Sequence, residues 1–172
     1  LINSAGITHP GYVHELPEEK FEELMQVNYF GTVYITKAVL PAMMQRGSGQ
    51  IINISSMAGY MGVFGYSAYG ASKYAVTGFS EVLRAEMKTH GVRVSVVFPP
   101  DTDTPQLAYE QPYKPVETKA LSGKAKALSA QTVAATMLRQ TVKGRFRIYP
   151  GIDSRLFHLA VNKLPSKLVF YV

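Results

Sequence analysis

The sequence predicts an α/β protein in which a parallel sheet is covered by helices on both faces. Short β-branched runs at 51–55 and 92–98 alternate with long segments of helical periodicity, as is typical of βαβ units. The run 92–98 is mostly apolar and rich in valine, which indicates a strand buried on both faces. The chain has 172 residues, of which 47% are hydrophobic, and this suits one domain with an ample core.

The first elements have recognisable boundaries. Residues 1–3 are predicted to be the end of a strand, and residues 15–46 form a long helical pattern. Pro17 suits the first turn of this helix and Gly47 its end, because proline favours helix starts and glycine favours helix stops. Pro41 lies within the pattern and predicts a kink or a division of the helix.

The middle of the chain is predicted to continue the same alternation. A strand at 51–55 is followed by a helix over 67–90 that ends at Gly91, and by the third strand at 92–98. Residues 99–115 are dense in proline and acidic residues, and they predict an irregular loop.

The C-terminal third is predicted to add two helices, one strand and an amphipathic segment. The helices are 120–128 and 130–143, the second with Ser129 as its N-cap, and the strand is 146–149. The segment 152–172 is basic and amphipathic but too interrupted for a membrane-spanning helix. It fits docking on a membrane surface, closing over a substrate pocket or packing on a partner.

Composition limits the classes of partner. The net charge is +6, which fits an anionic partner such as a phosphorylated cofactor or an acidic membrane, or merely a solvated exterior. The lysines and arginines are scattered, so no nucleic-acid partner is predicted. Without cysteine the chain has no disulfides and no thiol chemistry, and its four dispersed histidines predict no metal site.

Tyr69 and Lys73 are the most informative pair of residues. Their four-residue spacing places them on one face of the helix 67–90. An ammonium beside a phenol favours the phenolate, so we expect Lys73 to lower the pKa of Tyr69 and make it an acid–base catalyst. Ser56 lies thirteen residues before Tyr69 and just after the strand 51–55, so it brings a hydroxyl to the sheet edge where open α/β folds bind ligands.

Two further segments complete a pattern. Asn28 lies in the run Val-Asn-Tyr-Phe-Gly-Thr at 27–32, and the chain opens with Leu-Ile-Asn-Ser-Ala-Gly. Together with Ser56, Tyr69 and Lys73, these segments resemble the catalytic set of the short-chain dehydrogenase/reductases. The resemblance implies a Rossmann-like doubly wound parallel sheet that here lacks its N-terminal βαβαβ portion. Residues 1–172 would then be the C-terminal two-thirds of a single domain, without the glycine-rich phosphate turn.

The resemblance also implies a role for each catalytic residue. Tyr69 would donate a proton to the carbonyl oxygen of a ketone, and Ser56 would hydrogen-bond the same oxygen. Lys73 would also grip the nicotinamide ribose, and Asn28 would hold a water that relays protons to Lys73. Asn28 has a local alternative as a capping or bending residue. Ser55, which points to the opposite face from Ser56, is expected to satisfy nearby backbone.

The implied cofactor contacts lie at two strand ends. The turn from Asn3 to Gly6 would lie beside the adenine ribose, with Ser4 where the family usually has a second asparagine. Thr102 and Thr104 would bind the nicotinamide carboxamide, although Asp101 and Asp103 fit a structural turn equally well. The expected cofactor-binding residues are Asn3, Ala5, Gly6, Asn28, Tyr69, Lys73, Pro99, Thr102 and Thr104.

The segments 98–105 and 114–118 are similar to those of the 3-ketodihydrosphingosine (3-dehydrosphinganine) reductases, including a proline where most of the superfamily has glycine. One of Asp101, Asp103 and Glu110 would pair with the substrate ammonium, unless all are simply solvated.

This resemblance implies an NADPH-dependent reductase that converts 3-ketodihydrosphingosine to dihydrosphingosine. It would be a homodimer or homotetramer, cytoplasmic or peripheral at the cytosolic face of the endoplasmic reticulum. The alternatives are a 3-oxoacyl thioester reductase or a hydroxysteroid or retinol dehydrogenase of the same fold, and a non-catalytic binding or scaffold protein that keeps the fold.

Overall fold

The computed structural model describes residues 1–122 and 127–163. Its helices and strands are, in chain order, β1 (Ile2–Asn3), α1 (Glu18–Leu24), α2 (Gly31–Arg46), β2 (Gly49–Ile54), α3 (Ser67–Met87), β3 (Val92–Val97), β4 (Thr102–Asp103), α4 (Pro105–Glu110), α5 (Val116–Ser122), β5 (Leu128–Ser129), α6 (Ala130–Val142), β6 (Arg147–Ile148) and α7 (Ile152–Lys163). Strands β1, β2, β3 and β6 form a parallel sheet in that order, and β4 pairs with β5 in a separate parallel ladder.

Helices cover this sheet on both faces. Neighbouring residues of a strand point to opposite faces, and Ile51 and Ile52 on β2 belong to different core clusters. Ile51 packs with Leu83 of α3 and with residues of α2, whereas Ile52 packs with Met137 of α6. The predicted parallel α/β sheet is therefore confirmed.

The predicted helix over 15–46 begins at Glu18 and is helical to Arg46, but it is not α-helical throughout. Helix α1 begins at Glu18, directly after Pro17, and a π-helical turn at Met25–Phe30 joins it to α2. Helix α2 runs through Pro41 without interruption, so the predicted division there is wrong. Core packing of the same turn, where Met43 is buried, outweighs the hydrogen bond that the proline cannot donate.

Both predicted glycine stops are confirmed. Gly47 ends α2 with φ of 65°, and Gly91 follows the short 3₁₀ turn after α3 with φ of 67°. These left-handed conformations favour glycine. Ser129 is likewise confirmed as the N-cap of α6, because its hydroxyl accepts a hydrogen bond from the Thr132 amide at 3.2 Å.

The predicted loop over 99–115 is wrong in part. It contains β4 and α4, and α4 starts at Pro105, a residue suited to the first turn of a helix. The predicted helix 120–128 is also wrong at its ends, because α5 begins at Val116 and Leu128 lies in β5. Pairing between β4 and β5 joins segments 25 residues or more apart, which local periodicity does not reveal. Residues 123–126 lie outside the described part.

The C-terminal segment begins as the helix α7. The hydroxyl of Tyr60 donates to the Ser154 carbonyl at 3.0 Å, and the ring of His158 stacks on Tyr149 with a centroid distance of 4.4 Å. Residues 164–172, which supply the rest of the predicted amphipathic segment, are outside the described residues. Across 1–122 and 127–163, no helix combines the length and hydropathy needed to cross a bilayer.

Candidate active site

Three of the predicted catalytic side chains meet at the carboxyl end of β2. Ser56 follows β2 by two residues, and Tyr69 lies in the first turn of α3, close enough to Ser56 for the serine side chain to act on the pKa of the Tyr69 hydroxyl. Lys73 lies one turn further along α3, and its Nζ is 5.6 Å from the centre of the Tyr69 ring. The same ammonium donates to the carbonyl of Ile54 at 3.1 Å. A hydroxyl pair and a buried cation therefore share one small region.

Burial dominates the titration of this pair. Desolvation raises the pKa of Tyr69 to about 12, although the hydrogen bond with Ser56 acts in the opposite direction. The expectation that Lys73 lowers the pKa of Tyr69 is therefore wrong, because the low-dielectric surroundings penalise the phenolate more than its neighbours stabilise it. Desolvation also lowers the pKa of Lys73 to about 8. At neutral pH the phenol keeps its proton, and Lys73 loses one more readily than an ordinary lysine.

The two neighbouring serines have separate tasks. The hydroxyl of Ser55 is buried, donates to the Lys73 carbonyl at 3.0 Å and lies 3.0 Å from the Thr77 hydroxyl. This confirms that Ser55 satisfies backbone rather than facing the sheet edge. Ser56 has extended backbone, and its oxygen accepts from the Ala58 amide at 3.2 Å. That bond uses a lone pair and leaves the hydroxyl hydrogen of Ser56 for Tyr69.

Asn28 joins the loop after β1 to the active-site helix. It is 1% exposed and lies in the π-helical turn between α1 and α2. Its amide nitrogen donates to the Ile7 carbonyl at 3.0 Å and to the Ser72 hydroxyl at 2.9 Å, and its side-chain oxygen accepts from the Ile7 amide at 2.8 Å. Both amide hydrogens are committed, so a relay water would have to donate to an oxygen of Asn28.

Gly6 leaves room for this arrangement. A Cβ atom at Gly6 would lie 3.1 Å from the side-chain oxygen of Asn28 and 3.3 Å from Nζ of Lys73. These approaches are closer than ordinary carbon contacts, so a side chain here would crowd both polar groups. The loop after β1 is therefore shaped as a cradle in front of Lys73.

The predicted cofactor residue Asn3 directs its side chain into the protein. Its amide donates to Asn53 at 2.8 Å and to the Thr36 hydroxyl at 3.1 Å, and the amide of Asn53 donates in turn to Ser80 at 2.9 Å. This buried chain fixes the end of β1 beside β2. Any contact from this turn to a ligand would have to come from its backbone or from the exposed side chains of Ser4 and Ala5.

The segment after β3 lies beside Ser56. The carbonyl of Pro99 accepts from the Met57 amide at 3.2 Å. The hydroxyl of Thr102 donates to the Pro100 carbonyl at 2.8 Å, and that of Thr104 donates to the Thr102 carbonyl at 3.2 Å. The observed turn bonds thus come from the threonines rather than from the neighbouring acids, and each threonine oxygen keeps lone pairs that can accept from a carboxamide.

A buried polar group in this segment was missed by sequence reasoning. One carboxylate oxygen of Glu110 lies 2.8 Å from Nζ of Lys114 and accepts from the Tyr66 hydroxyl at 2.8 Å. The side chains of Glu110 and Lys114 are only 8% and 1% exposed. The expectation that Glu110 is either solvated or open to a substrate ammonium is wrong, because its charge is already neutralised inside the fold. The four-residue spacing of this pair was the available signal.

A cleft of about 380 Å³ opens between the loop after β1 and α4. Gly6 forms part of its wall, so the cleft borders the cradle in front of Lys73. Leu24, Pro105 and the exposed ring of Tyr109 contribute apolar surface. Ser56, Tyr69 and Lys73 are not among the residues that line it, so the cleft lies beside the candidate catalytic group rather than around it.

Comparison with known proteins gives consistent matches. The model of the short chain dehydrogenase family matches residues 1–114. The 3-ketodihydrosphingosine reductase of Dictyostelium discoideum is 45% identical over 158 residues, which are 91% of this chain and 47% of that protein. The enzyme of the same name from Mus musculus is 41% identical over 153 residues, 89% of this chain and 46% of the relative. This chain thus spans about half the length of these relatives.

A solved structure agrees with the family match. A short chain dehydrogenase from Burkholderia cenocepacia J2315 in complex with NADP has 26% sequence identity and a TM-score of 0.83, covering 100% of this chain and 68% of that one. The predicted doubly wound α/β fold and the resemblance stated from sequence are both confirmed by these matches.

Proposed function

This chain belongs to the short-chain dehydrogenase family, and we propose that the protein is an NADPH-dependent carbonyl reductase that converts 3-ketodihydrosphingosine to dihydrosphingosine. The observation that carries the reductase chemistry is the grouping of Ser56, Tyr69 and Lys73 at the carboxyl end of β2, with Nζ of Lys73 5.6 Å from the centre of the Tyr69 ring. The substrate rests on the relatives, because the two compared above are named for this reaction and are 45% and 41% identical.

The cradle formed by Gly6, Asn28 and Lys73 fits a bound cofactor, since the missing side chain at Gly6 leaves the Asn28 amide and the Lys73 ammonium uncrowded where a Cβ would approach both within 3.3 Å. The other residues that would hold NADPH are the rest of the turn from Asn3 to Gly6, with Tyr69, Pro99, Thr102 and Thr104. When bound, the cofactor supplies the hydride that reduces the carbonyl carbon.

The residues of this chain supply the proton and position the oxygen. The Ser56 hydroxyl would hydrogen-bond the carbonyl oxygen, and the Tyr69 hydroxyl would transfer its proton to that oxygen as negative charge develops there. A Tyr69 pKa of about 12 keeps the phenol protonated at neutral pH, which suits a proton donor. Lys73, with its pKa lowered to about 8, would return a proton to Tyr69 from the water held near Asn28.

A comparison of three substrates tests the proposal. The full-length protein is supplied with NADPH and with 3-ketodihydrosphingosine, a 3-oxoacyl thioester or a ketosteroid at matched concentrations. We expect the highest kcat/KM for the long-chain amino ketone. A clear preference for either of the other two would overturn the sphingolipid assignment and leave the reductase chemistry intact. No turnover of any ketone, together with tight binding of one, would support the non-catalytic alternative.

The surface of α2 and α3 supports a proposal on assembly. Exposed apolar side chains lie on both helices, namely Tyr34, Ile35, Tyr74 and Val82. Large apolar side chains exposed on the surface of two helices are typical of a contact between subunits. We therefore expect light scattering to find a dimer or larger assembly of the full-length protein, and a strict monomer at high concentration would contradict this.

A further inference from the structure

The proposed substrate poses a charge problem at the reacting carbon. In 3-ketodihydrosphingosine the ammonium is bonded to the carbon next to the ketone. A substrate whose carbonyl oxygen lies between Ser56 and Tyr69 therefore brings a full positive charge to within a few ångströms of the Tyr69 hydroxyl. A cation that leaves water without an anionic partner binds poorly, so a carboxylate is needed near this point.

The segment after β3 carries three carboxylates, and the structure separates them. Glu110 is unsuitable because its oxygen is already held by Lys114 and Tyr66 at 2.8 Å each. Asp101 and Asp103 are both exposed, and Asp103 lies in β4. Asp101 is only two residues after Pro99, whose carbonyl is bonded to the Met57 amide beside Ser56, whereas Asp103 is two residues further along the chain. The charge of Asp101 also contributes to the raised pKa of Tyr69.

Asp101 is held in place by its backbone while its side chain stays open. Its carbonyl accepts from the Leu128 amide at 2.9 Å, just before the β4–β5 ladder begins. Two residues earlier, the Pro99 carbonyl binds the Met57 amide at 3.2 Å and ties this segment to the residue after Ser56. The Asp101 side chain is exposed, and within 1–122 and 127–163 its carboxylate takes part in no salt bridge.

We propose that Asp101 pairs with the ammonium of the substrate and selects 2-amino ketones over ketones that lack the charge. The inference rests on the proposed function and adds a specificity-determining residue to it. Glu110 is not available for this pairing, because Lys114 already neutralises its charge inside the fold. Asp101 is the exposed acid nearer in the chain to the bond between Pro99 and Met57. Charge-assisted hydrogen bonds are roughly twice as strong as neutral ones, so the selection should be large.

The test compares two ketones on three proteins. The probes are 3-ketodihydrosphingosine and 1-hydroxyoctadecan-3-one, which has the same chain and hydroxyl group but no amine. The full-length wild type, Asp101→Asn and the control Asp103→Asn are assayed with NADPH. We expect Asp101→Asn to lower kcat/KM for the amino ketone roughly 10- to 100-fold, the range of a charge-assisted hydrogen bond. Turnover of the uncharged ketone should change by less than about threefold, and Asp103→Asn should resemble the wild type on both.

The outcomes separate the two proposals. Unchanged turnover of the uncharged ketone also shows that Asp101→Asn is folded. Three results would overturn the role of Asp101 while the wild type still reduces the amino ketone. Asp101→Asn could lose kcat/KM equally on both ketones, or it could lose none on either. Asp103→Asn could also lose as much kcat/KM on the amino ketone as Asp101→Asn does. A wild type that does not reduce the amino ketone would instead overturn the proposed function.

Discussion

The buried ion pair between Glu110 and Lys114 makes the segment after β3 sensitive to one substitution. Lys114→Met keeps most of the side-chain length but removes the ammonium that lies 2.8 Å from the carboxylate. Glu110 then keeps the hydrogen bond from Tyr66, but no cation contacts its carboxylate. The negative charge remains in a place that water does not reach well.

The expected cost follows from burial. With side-chain exposures of 1% and 8%, this pair belongs to the class in which loss of one partner costs about 3–5 kcal/mol of unfolding free energy. The pair between Lys20 and Glu23 offers a matched control, because its side chains are 33% and 49% exposed. Solvent screens such a pair, and Lys20→Met should change the unfolding free energy by less than about 1 kcal/mol.

Urea unfolding of the full-length protein, followed by circular dichroism at pH 7, measures both values. A second variant, Glu110→Gln with Lys114→Met, replaces the charged pair by a neutral one and should recover much of the loss. If Lys114→Met and Lys20→Met cost the same small amount, or if the double variant is less stable than Lys114→Met alone, the buried pair does not stabilise this segment as argued.

Further variants test the site itself. Tyr69→Phe should lower kcat by about 10²–10⁴ and raise the Kd for NADPH, measured by fluorescence titration, by no more than about tenfold, because the variant loses a single hydrogen bond to the cofactor. Ser56→Ala should lower kcat by about 10²–10³, whereas Ser55→Ala should mainly lower the unfolding free energy by about 1–3 kcal/mol, as measured in urea. The folded pKa of Lys73 is about 8 against an ordinary value of 10.5 in the unfolded chain, so the unfolded chain binds the extra proton between these values and stability should rise with pH across that window. The wild type should gain up to about 3 kcal/mol relative to Lys73→Met between pH 8 and 10.5, and parallel stability curves would contradict this.

The sequence predicts the framework where local signals and tertiary packing agree. Gly47 and Gly91 end helices because only their backbone takes the left-handed conformation at low cost, and this property is visible in the residue itself. Pro41 shows the opposite case. Its local preference for breaking a helix is real, but the core contacts of α2 outweigh it, and those contacts join residues far apart in the chain.

The same distinction applies to the site. Tyr69 and Lys73 were predictable because one helix fixes their relation, and Ser56 because a strand delivers it to the sheet edge. The partners of Asn28, and the contact of Glu110 with Tyr66, were not, because they depend on how the loop after β1 and the helix α4 fold back onto the start of α3. Spacing identifies which side chains are neighbours along one element, but it does not reveal which distant groups complete their hydrogen bonds.

The pKa values of Tyr69 and Lys73 depend on how far water is excluded from the pair. These pKa values determine whether the site favours reduction of a ketone or oxidation of an alcohol at neutral pH. In water a neighbouring ammonium would favour the phenolate, but burial penalises both charged forms and moves the two pKa values apart, that of Tyr69 up to about 12 and that of Lys73 down to about 8. Both values lie above neutrality, so at pH 7 the phenol and the ammonium both hold their protons. A reduction consumes one proton at the carbonyl oxygen, and Tyr69 supplies it. Lys73 can then give a proton to Tyr69, because the pKa of Lys73 is the lower of the two. Oxidation would need the opposite starting state, with the phenol deprotonated in a place that disfavours its charge. The buried pair is therefore better prepared for reducing a ketone than for oxidising an alcohol at neutral pH.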